Sequence, residues 1–321
     1  MNAPVIIEAA INGLTTKARN PYVPVTTEEL IGEAVACLDA GAAIIHNHIG
    51  NTPMSGAESA QRYAAVWTKV LGERPEALWY PTVSFGPVAN RYDHIAPLAA
   101  AGLLRMSLSD PGSVNLGRMV NGLPTGAAPY TNSFDEIAHQ FALCDEYRLG
   151  VSIAVYEPGF LRTVLAYHHA GRLPSGSFVK LYFSTDSGLT GTAFGLPPTP
   201  TALAAYLELL DGTGLVWAVS AAGGDVVRTD LCAAALAAGG HLHIGLEFYN
   251  GDRTPTNLEL IEEAVTTCVA SGRPVATSAE AAAILGLPDR PVISTADHLR
   301  PDEGLPARLV GSDNQFPICS A

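Results

Sequence analysis

Eight short apolar runs, rich in branched and aromatic residues and separated by amphipathic stretches, constrain this chain more than any other feature. The runs are PVIIEAAI, AAIIHNH, EALWYPTV, GLLRMSL, GVSIAVYE, SFVKLYFS, GLVWAVS and HLHIGLEF. The stretches between them include SGAESAQRYAAVWTKVLG, SFDEIAHQFALCDEY, TALAAYLELLDG and DVVRTDLCAAALAAG. Short apolar runs bounded by turn residues read as buried parallel strands, and the segments of helical period between them as crossover helices. Eight such βα units close on themselves, so the expected fold is an α/β (β/α)8 TIM barrel with a short C-terminal extension. A barrel of about 250 residues with terminal additions accounts for the 321 residues present. One catalytic barrel domain is therefore expected over residues 1–287. Its last helices should begin near Thr256 and cover Ser278 to Leu285. The Pro-rich tail, 288–321, lacks helical periodicity and is expected to pack on the barrel or on a neighbouring subunit.

Composition narrows the partners. Only 18 Lys and Arg face 31 Asp and Glu, a formal charge of -13, and there is no basic run to meet a nucleic-acid backbone or an anionic membrane. Small molecules are the expected ligands. The five cysteines, at 37, 144, 232, 268 and 319, are dispersed without a CxxC pair and read as reduced core residues. No signal-type segment opens the sequence and no run of about 20 apolar residues interrupts it. A soluble, cytoplasmic protein is expected.

The second apolar run ends in His46-Asn47-His48, with the imidazoles at alternate positions and so on one side of a strand. Before it, Thr26 or Thr27 can cap a helix, Glu28 and Glu29 suit its positive end, and Gly41 suits its exit. Strand, helix, strand and then ligands places both histidines at the carboxyl end of a parallel strand, where barrels carry their sites. Two histidines at that place suit a metal, although each also has a reading as a packed core side chain. In a closed barrel the eighth strand lies beside the first, so Glu247 at its end can converge on His46 and His48. Two imidazoles and one carboxylate leave a position open, the pattern of a catalytic zinc site, with one Zn2+ per chain. His241 and His243 alternate on the same face as Glu247 and compete with it as ligands from spacing alone, or lie deeper as packing groups.

INGLTTKARNPYVPVTTEEL, the strand-end HNH, VYEPG, VWAVSAAGG, HIGLEF and PTNLELIEEAV together resemble the β-keto acid cleavage enzymes, over nearly the whole chain. That family includes the 3-keto-5-aminohexanoate cleavage enzyme. The resemblance implies a zinc-bearing barrel that exchanges acyl groups between a β-keto acid and acetyl-CoA, giving acetoacetate and a new CoA thioester. It maps the family's metal ligands onto His46, His48 and Glu247. It also implies a homo-oligomer, dimer or tetramer.

The chain departs from the family pattern in one pocket. Phe248 stands where better-known members follow the zinc glutamate with an aspartate base, and His243 stands where they carry an arginine. GLTTKAR lacks the acidic residue often found after the first strand, and an acidic position of the fifth strand is Ala154. His243 and Glu157 are the candidate catalytic substitutes, His243 because an imidazole titrates near neutrality. Thr82 and Ser107, with family counterparts at strand ends, are the candidate substrate-binding residues. A metal-dependent hydrolase of the amidohydrolase type and a non-catalytic metal-containing binding protein are the alternative readings.

Overall fold

The computed structural model describes residues 3–50, 52–84, 90–126 and 129–288. Apart from Pro288, the tail expected to pack on the barrel or a neighbour lies outside the described residues.

The sequence runs β1 (Ile7–Ala10), α1 (Thr27–Ala40), β2 (Ile44–Asn47), α2 (Gly56–Glu73), β3 (Leu78–Pro81), α3 (Ile95–Ala100) and β4 (Met106–Ser109). A hairpin follows, β5 (Arg118–Val120) and β6 (Leu123–Thr125), then α4 (Phe134–Glu146), β7 (Gly150–Val155), α5 (Pro158–His169), β8 (Ser177–Ser184) and α6 (Pro200–Leu210). The chain continues through β9 (Val216–Ala222), α7 (Asp230–Ala237), β10 (His241–Ile244), α8 (Asn257–Ala270) and α9 (Ser278–Leu285). All eight runs read as strands from the sequence are strands, and they form one parallel sheet in the order β3-β2-β1-β10-β9-β8-β7-β4. The α/β barrel expected from the sequence is therefore present. The last strand, β10, pairs with the first, β1. Among the described residues no ladder joins β3 to β4. The Trp79 indole N–H spans that seam instead, donating to the Leu103 carbonyl at 2.7 Å.

Helix starts follow local chemistry. Thr26, Ser133, Thr256 and Thr277 each cap a helix with a capping box closed by Glu29, Glu136, Glu259 and Glu280, which satisfies amide groups that the first helical turn leaves orphaned. Gly41 ends α1 at φ 116°, a conformation that costs a residue without Cβ little. The hairpin β5–β6 and the short α3 have too few residues for a period to show in the sequence.

Registered neighbours in a parallel sheet share a face. Glu8 is level with His243, Ala10 with His46, and His46 with Tyr80, while Lys180 on β8 contacts Glu8 across the barrel. These side chains therefore fill the barrel interior, and the opposite parity packs against the helices.

Candidate active site

His46 is the last-but-one residue of β2 and His48 follows it. Glu247 sits in the turn after β10. At the mouth of the barrel Glu247 Oε2 lies 3.3 Å from His46 Nε2 and Oε1 lies 3.2 Å from His48 Nε2, with all three side chains less than a tenth exposed. One donor atom from each falls within 4.8 Å of the others, the grouping a metal ion needs.

Each ligand is held from behind. The Tyr80 carbonyl lies 3.2 Å from His46 Nδ1, so it takes the proton there and leaves the Nε2 lone pair facing Glu247 and His48. The Tyr80 ring also stacks on the imidazole at 4.5 Å. Asn12 accepts from the His48 N–H at 2.8 Å and donates to the His48 carbonyl at 2.9 Å, clamping that backbone. The Glu247 N–H donates to the Ala10 carbonyl, and Asn257 accepts from the Leu246 N–H while donating to Ile11. Gly13, at φ 56°, lets the first loop reach the site: a Cβ there would meet Glu247 Cγ at 2.1 Å. Burial pushes the His46 imidazole down to about 3. Burial works the other way on Glu247, but the facing His46 and His48 hold its carboxyl down at about 2. A neutral imidazole beside an ionised carboxylate is the donor state that binds a divalent cation.

Below this layer lies a buried polar group that the sequence alone did not reveal. Glu8 Oε1 faces Lys180 Nζ at 3.1 Å and His243 Nε2 at 3.1 Å, and accepts from the Tyr80 hydroxyl. Lys180 Nζ also donates to the Tyr80 oxygen. Burial works to raise the Glu8 carboxyl, yet Lys180 and His243 hold it down at about 2. Glu8 and Lys180 sit inside apolar strands 172 residues apart, so neither run announced the pair.

The remaining sequence candidates fall as follows. His243 is fully enclosed, stacked on Tyr182 at 5.3 Å and packed on Phe248 at 5.0 Å, and burial lowers its pKa. Glu157 precedes α5, and its Oε1 accepts from the Gly195 N–H at 3.0 Å. Thr82 follows β3 half-buried, its N–H donating to the Tyr63 hydroxyl. Ser107 lies on the helix-facing side of β4, with a side-chain hydrogen bond to Cys144 of α4. Phe248 joins Tyr182 at 4.9 Å, Tyr182 meets Tyr156 at 4.9 Å, and Tyr156 meets Tyr130 at 6.3 Å, a line of aromatic rings.

One carboxylate escaped the sequence reading. Asp110 follows β4 only 8 % exposed, and the Tyr130 hydroxyl donates to its Oδ2 at 2.5 Å. In the sequence it precedes Pro111-Gly112 and reads as a turn residue. Only its parity with Met106 and Leu108, on the side of β4 opposite Ser107, pointed inward.

Residues 4–287 match the family model for the beta-keto acid cleavage enzyme. The chain is 26% identical over 288 residues to the 3-keto-5-aminohexanoate cleavage enzyme of Acetoanaerobium sticklandii, an alignment covering 88% of this chain and 98% of that protein. It is also 26% identical over 295 residues to the 3-oxoadipate:acetyl-CoA acetyltransferase of Cupriavidus necator, covering 90% and 96%. Among solved structures, the binary complex of ObcA with oxaloacetate shares the fold with a TM-score of 0.66 at 17% identity, covering 84% of this chain and 68% of that one. With the model spanning the whole barrel and both relatives aligned almost end to end, the chain belongs to the beta-keto acid cleavage enzyme family.

Proposed function

We propose that this protein exchanges acyl groups between a β-keto acid and acetyl-CoA, giving acetoacetate and a new CoA thioester, with one zinc ion held by His46, His48 and Glu247. The observation that carries the reading is the convergence of these three side chains at the mouth of the family's barrel. Family membership and the acetyl-CoA named for the Cupriavidus relative support the same chemistry.

The donor set fits the ion: two imidazole nitrogens and one carboxylate suit zinc and leave room for substrate oxygen. When bound, zinc supplies Lewis acidity to a ketone or carboxylate. The chain's own residues do the rest. The Tyr80 carbonyl and Asn12 fix the two histidines, Lys180 balances Glu8 beneath them, and the ring line from Tyr130 to Phe248 offers an apolar wall to the substrate. Thr82 as a substrate contact, a homo-oligomeric assembly and a cytoplasmic location belong to the same proposal; Ser107, expected from the sequence to touch substrate, is turned toward α4 with Ser109 and is not part of it.

Elemental analysis of the purified protein and of a His46→Ala, His48→Ala variant tests it. About one zinc per chain is expected in the wild type and none in the variant. Acetoacetate should form from acetyl-CoA and at least one of 3-oxoadipate and 3-keto-5-aminohexanoate. A wild type that takes up no metal, or that loads zinc and transfers no acyl group, rejects the reading.

A further inference from the structure

Phe248, packed on Tyr182 and His243, follows Glu247 directly and offers no carboxylate there, so a carbon acid bound at this site needs its base from elsewhere. His243 is enclosed, with Nε2 turned to Glu8, and Glu157 carries the helix-facing parity of Ile153 and Val155, where its charge acts on Tyr206 of α6. Asp110 remains. It lies at the carboxyl end of β4, the end of the sheet that also presents His46, and two residues beyond Leu108. Leu108 is level with Ser152, and Ala154, two residues on from Ser152, is level with Lys180, which meets Glu8 inside the barrel, so this parity of β4 faces the interior. Its carboxylate acts electrostatically on the interior: Glu247 raises its pKa and Lys180 lowers it. Tyr130 holds Oδ2, and among the described residues Oδ1 has no hydrogen-bond partner.

We propose that Asp110 is the catalytic base of this chain, taking through Oδ1 the proton on the carbon between the ketone and the carboxylate of the β-keto acid; the inference rests on the function proposed above. The C–H bond breaks, its electron pair forms the carbon–carbon double bond of the enolate, and the ketone π pair moves onto oxygen. The proton goes to Asp110, with no other reactant needed. Burial, opposed by the Tyr130 bond, raises the Asp110 carboxyl above its ordinary value, which strengthens it as a base. Arg91 lowers it and Glu247 raises it further; Tyr92, Tyr156 and Lys180 complete its titratable surroundings.

The experiment follows hydrogen exchange into acetoacetate in D2O by NMR, above the spontaneous rate, together with acyl exchange from labelled acetyl-CoA. Wild type, Asp110→Asn and Tyr130→Phe are compared at equal zinc loading. Asp110→Asn should lose at least about 100-fold in both rates, the scale of general base catalysis. It should bind zinc as the wild type does and melt no lower at pH 7, because the substitution removes a buried charge. Tyr130→Phe should keep the fold and move the acid limb of kcat/KM to higher pH, since Oδ2 loses its donor; a merely structural tyrosine would not move it. Asp110→Asn within threefold of wild type in both rates overturns the assignment while leaving acyl exchange standing. A zinc-loaded wild type that exchanges neither hydrogen nor acyl group on any of the three keto acids removes the proposed function, and Asp110's role with it.

Discussion

Gly13 decides how closely the first loop approaches the candidate metal ligands. A methyl group there would lie 2.1 Å from Glu247 Cγ, and the backbone already holds φ 56°. Gly13→Ala is expected to destabilise the fold by about 1–3 kcal/mol and to displace Glu247. Zinc affinity measured by competition with a chromophoric chelator should fall at least about tenfold; unchanged affinity would show that the loop can yield. Lys180 offers a second test at the scale of one side chain. Lys180→Met leaves the Glu8 charge buried without its cation, expected to cost about 3–5 kcal/mol in denaturant unfolding. Adding Glu8→Gln to that variant removes the stranded charge and should recover most of the loss. Equal costs for the single and double variants would mean that Glu8 finds other compensation.

The start of α8 couples an ordinary helix cap to the site. Thr256 closes a capping box, and Asn257, fully buried beside it, bonds the Leu246 N–H, the Ile11 carbonyl and Glu33. Asn257→Ala strands these groups in the interior and should cost about 1–3 kcal/mol in thermal or denaturant unfolding, with weakened zinc binding because Leu246 precedes Glu247. The cap itself was legible, since Thr-x-x-Glu before an apolar stretch states its own geometry. So were all eight strands, and so were the three clustered residues, because a period of two and a barrel's closure together place His46, His48 and Glu247 at one mouth. Pairings across the barrel were not. Glu8 and Lys180 are single charges in apolar runs whose meaning exists only once β1 and β8 face each other. Ser107 shows the limit of reading strand ends by position: its parity turns it toward α4, while its neighbour but two, Asp110, carries the inward parity behind a Pro-Gly turn signal.

Across the whole molecule, the interior carboxylate sets part of the acid stability. Glu8 is held at about 2 against an ordinary value near 4.5, so the stability it contributes is complete above 4.5 and is lost as pH falls toward 2. About 3 kcal/mol is the ceiling for one such group. Unfolding free energy followed from pH 6 to 2.5 should fall more steeply for the wild type than for Glu8→Gln, and equal slopes would place the acid sensitivity elsewhere. The seam between β3 and β4 has a further consequence. Seven strand boundaries are tied by ladders of backbone hydrogen bonds, whereas this one carries the Trp79 indole bond. Among the described residues the barrel is thus a split ring, tied by backbone ladders around most of its circumference and by one side-chain bond at the cut. That cut runs up to Thr82 on one lip and Asp110 on the other, so a small widening there changes the span between the two lips while the His46 and Glu247 side of the ring holds its dimensions.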